Sequence, residues 1–249
     1  QFASSAASDV YKRQAMIEVS RVSKHFDEVQ ALAEVNLGVA TGEFISIVGP
    51  SGCGKSTLLR IIADLVDSPG AVKKPSKGAF VFQDSALLPW RTVQGNVELL
   101  MELEGVDNKR AKANVALRQV GLDGFENSYP HQLSGGMKMR LSLARSLVLE
   151  PEYILLDEPL SAVDELTREV LQEELYEMWT RDKFTAILVT HNIAEAVYLS
   201  NRVVIMSPRP GMITDIVDIP FEQRTPDIRA DDKFNQVVNY IAGKLRTWK

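Results

Sequence analysis

Nine consecutive residues, Gly49-Pro50-Ser51-Gly52-Cys53-Gly54-Lys55-Ser56-Thr57, have the types and spacing to hold a highly charged ligand. The three glycines carry no Cβ, so backbone N–H groups can curl around an anion. Lys55 can neutralise the β- and γ-phosphates of a nucleotide, and the Ser56 hydroxyl can ligate Mg2+. The flanks supply the setting. Phe44-Ile45-Ser46-Ile47-Val48 predicts a buried strand. Leu58-Leu59-Arg60-Ile61-Ile62-Ala63 lacks Gly and Pro and predicts a helix starting near Lys55, its positive end aimed at the same point. Strand, glycine-rich turn and helix together separate a phosphate site from an ordinary turn in an α/β protein.

A second candidate is Tyr153-Ile154-Leu155-Leu156-Asp157-Glu158-Pro159, an apolar run closed by paired acids. The carboxylates then fall at the C-terminal edge of a parallel strand, where ligands bind in such sheets. Asp157 can hold Mg2+ and Glu158 can take a proton from an attacking water. Taken alone, two acids after a strand are as readily a helix N-cap. A third candidate is Leu133-Ser134-Gly135-Gly136-Met137-Lys138-Met139-Arg140, another helix mouth able to face an anion. Taken alone, it too is an ordinary N-cap.

The third run, lying between the phosphate loop and the paired acids, resembles the signature motif of ATP-binding-cassette (ABC) ATPases. The resemblance implies roles for further positions. Phe26 falls where an aromatic stacks on adenine. Gln83 occupies the Q-loop position, with a part in Mg2+ ligation and in catalysis. Ser161-Ala162-Val163-Asp164 is similar to the D-loop, with Ser161 and Asp164 its key residues, and Thr190-His191 to the switch that contacts the γ-phosphate. The implied fold is an α/β P-loop NTPase core with a mostly parallel sheet, a small antiparallel β subdomain and a helical insertion at about residues 84–150. The implied cofactors are ATP and Mg2+. The implied assembly is a head-to-tail homodimer in which Ser134, Gly135, Gly136 and Met137 of each copy cover the other's ATP. Two departures stand out: Met137 replaces the usual Gln, and the stretch from Lys55 to Gln83 is short for the family.

Within the family, one cassette with no membrane span is similar to the detached ATPase of a bacterial importer, and Phe82 to Trp90 resembles the nitrate, sulfonate and taurine type. Ser134 to Arg140 and Ser207-Pro208-Arg209-Pro210-Gly211 point the same way. A membrane permease is then expected to dock near Leu87, Leu88 and Trp90 at the cytoplasmic face of the membrane, with a solute-binding protein beyond it. The trio could instead be core. Two other classes remain open: a soluble, non-transport cassette ATPase, and a small-molecule kinase, which has no use for the Ser134 run.

These residues need a scaffold. Ile17–Val22 and Val35–Val39 alternate and predict strands with one wet face, with a loop at residues 23–27 between them. Strands are expected at 79–82, 153–156, 185–189, 202–206 and 213–219. Helices are expected where Val93, Val97, Leu100 and Met101 share a face, over 108–120, where Met137, Leu141, Ala144 and Val148 align, over 164–180, and at the C-terminal Phe234–Trp248 stripe. A net charge of −5 gives no electrostatic case for nucleic acid. A single cysteine, Cys53, excludes an internal disulfide, and no apolar run approaches the ~20 residues that span a bilayer. Residues 1–15 read as a foreign leader ahead of Met16, and 16–249 as the ATPase domain.

Overall fold

A computed structural model describes residues 15–248. The expectation for the leader therefore falls outside the described residues, apart from Ala15, which begins the first strand. The chain divides into two compact units, an inner one, Lys77–Glu174, and an outer one made of the residues on either side.

In chain order, β1 (Ala15–Phe26), β2 (Val29–Ala40), β3 (Phe44–Val48), α1 (Lys55–Ile62) and β4 (Ala71–Lys73) come first. The inner unit follows with β5 (Gly78–Val81), α2 (Val93–Leu103), α3 (Lys109–Gln119), α4 (Gly135–Leu147) and β6 (Tyr153–Asp157). The division falls within α5 (Glu165–Asp182). Then come β7 (Thr185–Val189), α6 (Ile193–Leu199), β8 (Arg202–Met206), β9 (Ile213–Asp218) and α7 (Asp232–Arg246).

In the outer unit, β2, β1 and β4 form a small antiparallel sheet in that order. The loop expected at 23–27 is a correction: pairing continues through Lys24↔Leu32, His25↔Gln30 and Phe26↔Val29. A two-residue hairpin turn, with Asp27 at φ 48°, closes the strands where the polar residues suggested they had ended. A hairpin with one wet face tolerates polar side chains on that face.

The second sheet of this unit runs β7-β3-β8-β9, parallel except for β9 at the edge. All residues of β3, β7 and β8 are buried, as strands covered on both faces must be. At the base of β3, buried Arg202 clamps Glu43 bidentately, Nε to Oε1 at 2.6 Å and a terminal nitrogen to Oε2 at 2.9 Å, and also reaches the Gly38 carbonyl at 2.7 Å. Such a pair is strong because it is planar and charge-assisted.

In the inner unit β5 and β6 pair in parallel, from Gly78↔Tyr153 to Val81↔Leu156. The α2 face buries Val93, Val97 and Met101, but Leu100 is only half-buried and Asn96 is fully buried beside them. Asn96 enters the core because its amide satisfies four backbone groups, as set out below. Helix α4 buries Leu141 and Ala144 as expected, while Met137 and Val148 at its ends are half-buried.

Candidate functional site

The loop between β3 and α1 is shaped by two different constraints on its glycines. Gly52 and Gly54 lie in the left-handed region, at φ +74° and +102°. Gly49 is held by crowding instead: a Cβ there would lie 2.9 Å from both the Cys53 Sγ and the Met206 carbonyl oxygen. Helix α1 starts at Lys55, with the Leu58 N–H donating to the Gly54 carbonyl at 2.9 Å. Buried Lys55 folds its ammonium over the loop, donating to the carbonyls of Gly49 at 2.9 Å and Pro50 at 3.1 Å. Ser56 and Thr57 sit half-buried in the first turn, while Pro50 is half-buried and Ser51 exposed. Burial pushes the Cys53 thiol pKa up, against the pull of the Lys55 charge. A raised thiol is a packing residue.

One part of this site escaped sequence reasoning. Gly211 lies directly beneath the loop, where a Cβ would come 2.0 Å from the Cys53 carbonyl oxygen. Its N–H donates to Ala31 and its carbonyl accepts from Ala33, so the 207–211 turn closes against β2 as a floor. Only the glycine in Ser207-Pro208-Arg209-Pro210-Gly211 signalled a close approach.

Phe26 ends β1 with about half its surface exposed, and the Lys24 ammonium sits 5.1 Å over its ring while donating to the Asp67 carbonyl. His191 is exposed just beyond β7, on a rigid corner. Its neighbour Thr190 is buried with its hydroxyl bonded to Glu195, and Asn192 caps α6 by accepting the Glu195 N–H at 3.0 Å.

In the inner unit, buried Asp157 is the last residue of β6, and Glu158 follows at φ +46°. Gln83 lies two residues past β5 and Glu158 two past Leu156, so the parallel register brings both out at one edge of the β5–β6 pair. Among the described residues no three His, Cys, Asp or Glu side chains gather as a metal cluster. Gln83 and Asp157 here, and Ser56 in the outer unit, each carry an oxygen donor, the ligand type that suits Mg2+.

Ser134 caps α4, its exposed hydroxyl accepting the Met137 N–H at 3.2 Å. The D-loop packs against this helix mouth. A Cβ on Gly135 would lie 3.4 Å from the Ala162 carbonyl, and one on Gly136 2.9 Å from Thr167 Cγ2. Exposed Asp164 accepts the Thr167 N–H at 3.1 Å, and that bond draws its carboxyl below the usual range. Half-buried Ser161 begins the turn. Arg168, which sequence reasoning passed over, donates to the carbonyls of Val163 at 2.7 Å and Leu160 at 3.3 Å and so braces the turn.

Leu87 and Leu88 are half-buried, whereas Trp90 is 72% exposed, so the trio is not a core cluster. Two side chains hold this irregular segment. Asn96 accepts the Leu88 N–H at 2.8 Å and donates to the carbonyls of Leu88, Arg91 and Thr92. Arg145 donates to the carbonyls of Ser85 at 2.7 Å and Ala86 at 2.8 Å.

A protein-family model described as ABC transporter matches residues 32–161. The chain is 46% identical to an uncharacterized ABC transporter ATP-binding protein of Methanocaldococcus jannaschii, over 86% of this chain and 87% of that one. It is 43% identical to an aliphatic sulfonates import ATP-binding protein of Bacillus cereus, over 81% of this chain and 85% of that one. A solved dimeric post-hydrolysis ATP-binding cassette bound to ADP and Pi matches with a TM-score of 0.73 and 32% identity, over 83% of this chain and all of that one.

Proposed function

The chain belongs to the ABC transporter family of ATPases, and from that premise we propose that it powers import of a small solute through a separate permease, by closing two copies of itself around two ATP molecules. The observation that carries this reading is the pair of glycine-built helix mouths, one behind Gly54 and one behind Ser134, each shaped by its own packing. A second mouth has a purpose if it covers a nucleotide held by another copy. Family membership removes the small-molecule kinase as an alternative.

In this reading the loop amides and Lys55 hold the β- and γ-phosphates. Lys55 exchanges the Gly49 and Pro50 carbonyls for phosphate oxygens, so it changes partners without leaving its place. Ser56, Gln83 and Asp157 would hold Mg2+, which would supply neutralisation of the charge on the phosphates. Glu158 accepts the proton of the attacking water, and His191 and Gln83 orient the γ-phosphate and water. Phe26 stacks on adenine, with Lys24 adding a cation over its outer face. Ser134, Gly135, Gly136 and Met137 of the second copy close the site, with Ser161 and Asp164 shaping the contact. Met137 offers no amide, so that contact relies on the backbone and on Ser134. Hydrolysis removes the charge that bridges the copies, and they separate.

The sulfonate-import relative supports the importer subtype, with sulfonate, nitrate, taurine or a similar small solute as the cargo. The exposed Trp90 and half-buried Leu87 and Leu88 suit a short permease helix, with a solute-binding protein acting on the far side. Among the described residues no helix is long and apolar enough to cross a membrane. We place the chain as a peripheral subunit on the cytoplasmic face.

The test is Glu158→Gln. Turnover is expected to fall about 10²–10⁴-fold, while MgATP drives the variant from monomer to dimer by analytical ultracentrifugation. Near-normal hydrolysis, or a monomer at saturating MgATP, overturns the reading.

A further inference from the structure

The segment between Gln83 and Trp90 has no regular secondary structure, and Ala86 within it is held at φ +45°. For a residue with a Cβ that conformation is unfavourable and persists only where the surroundings impose it. The imposing group is Arg145, whose two terminal nitrogens grip the consecutive carbonyls of Ser85 and Ala86. Two donors on one planar fork fix both distance and direction, which a single ammonium cannot do. Arg145 stands in the last turn of α4. Ser134 stands at the other end, eleven positions earlier, about 16 Å along the axis at ~1.5 Å per residue.

Helix α4 has the attachments of a rigid lever. Its mouth packs closely against the D-loop turn and α5 at Gly135 and Gly136. Its middle is tied to α5 by Arg140, which donates to Glu174 at 2.5 Å. A displacement of the Ser134 mouth therefore moves Arg145 and, through its fork, the two carbonyls at the base of the Trp90 segment. Asn96 on α2 fixes the far side of the same segment at Leu88 and Arg91, so motion at Ser85 and Ala86 is taken up in the exposed turn between the two anchors.

We propose that Arg145 is a positioning residue that couples the Ser134 helix mouth to the Leu87–Trp90 segment, transmitting closure over ATP to the surface that meets the permease. This rests on the dimer reading above. It goes further, in assigning the transmission to one side chain that touches neither nucleotide nor permease.

The experiment is hydrogen exchange of the full chain in the Glu158→Gln background, with and without MgATP, beside sedimentation to read dimer formation. In that parent, ATP is expected to change exchange both at the peptide carrying Ser134 and at the peptide spanning 84–91. With Arg145→Gln added, the dimer and the Ser134 response persist. The 84–91 peptide exchanges about ten-fold faster and no longer responds to ATP. Arg145→Lys keeps the charge and stem but spans only one carbonyl, so it is expected to halve the 84–91 response at least. It carries the test alone if the Gln variant fails to fold. A full ATP response at 84–91 in either folded variant overturns the proposal. Loss of the dimer in the Glu158→Gln parent itself overturns the underlying reading, and the proposal falls with it.

Discussion

Gly136→Ala separates two explanations of the signature glycines. In an open helix, alanine is favoured over glycine by about 0.5–1 kcal/mol. Here the added Cβ lands 2.9 Å from Thr167 Cγ2, with Leu171 Cδ1 in ordinary contact at 3.6 Å. Relieving that contact requires about 0.6–1.1 Å of movement to reach the usual ~3.5–4.0 Å carbon separation. Thr167 cannot easily give way: it is β-branched, and its N–H is bound by Asp164. Overpacking of this kind costs about 1–3 kcal/mol. The net expectation is destabilisation of about 1–2 kcal/mol, or a fall in Tm of roughly 2–8 °C for a chain of this size. Thr167→Ser removes Cγ2 and keeps a hydroxyl, so the double variant should recover most of the loss, with a coupling of about 1 kcal/mol. Differential scanning fluorimetry of the four proteins reads the cycle. If Gly136→Ala melts at or above the parent temperature, or if Thr167→Ser fails to rescue it, the α4–α5 packing argument is wrong.

Lys55→Ala removes a charged hydrogen-bonding group worth about 1.5–3 kcal/mol, so the Kd for MgATP by calorimetry should rise roughly 10- to 150-fold; unchanged affinity counts against the cradle. Glu43→Ala strands the buried Arg202 guanidinium and should cost about 3–5 kcal/mol, lowering Tm by roughly 10 °C. Joint replacement by Leu at 43 and Met at 202 should be far milder, and equal losses would refute the clamp. The Asp164 carboxyl sits below its usual range because of the Thr167 N–H. Its contribution is therefore complete above about pH 4 and is lost as pH falls through the lower folded value. Asp164→Asn should flatten that part of the acid limb of Tm against pH, and an unchanged limb would exclude the cap as its source.

What the sequence made legible was whatever repeats with a period or carries a local spacing. The buried strands β7 and β8 were readable to the residue because a strand covered on both faces is a nearly continuous apolar run, here after a single polar first residue, Thr185 or Arg202. The phosphate loop was readable because its glycines, Lys55 and Ser56 act through adjacent positions. The strand pairing at Lys24, His25 and Phe26 was not, because it depends on a turn at Asp27 whose geometry the polar residues do not announce. Asn96 was hidden because a buried amide looks like a surface residue until its four backbone partners are placed. Arg145 and Arg202 were hidden for the same reason: each acts on carbonyls or acids brought near by tertiary structure, at separations from 59 to 164 positions, whereas Arg168 was hidden because its partners lie in an irregular turn five and eight positions back.

The glycines make the physical point most sharply. Those of the phosphate loop and those of the signature look alike in the sequence, yet they answer to different forces. Gly52 is required by its backbone angle, with open space where a Cβ would go, whereas Gly136 is required by a neighbour and sits in an ordinary helical turn. A left-handed glycine with open space around it, as Gly52 has, shapes a loop to its ligand and leaves it free to adapt. A crowded glycine brings two helices close and so removes freedom from the mouth it belongs to. One glycine run thus makes a cradle pinned at Gly49 and Gly54 and adaptable at Gly52. The other makes a stiff edge able to register closure and pass it on, and Arg145 stands at the far end of that same helix.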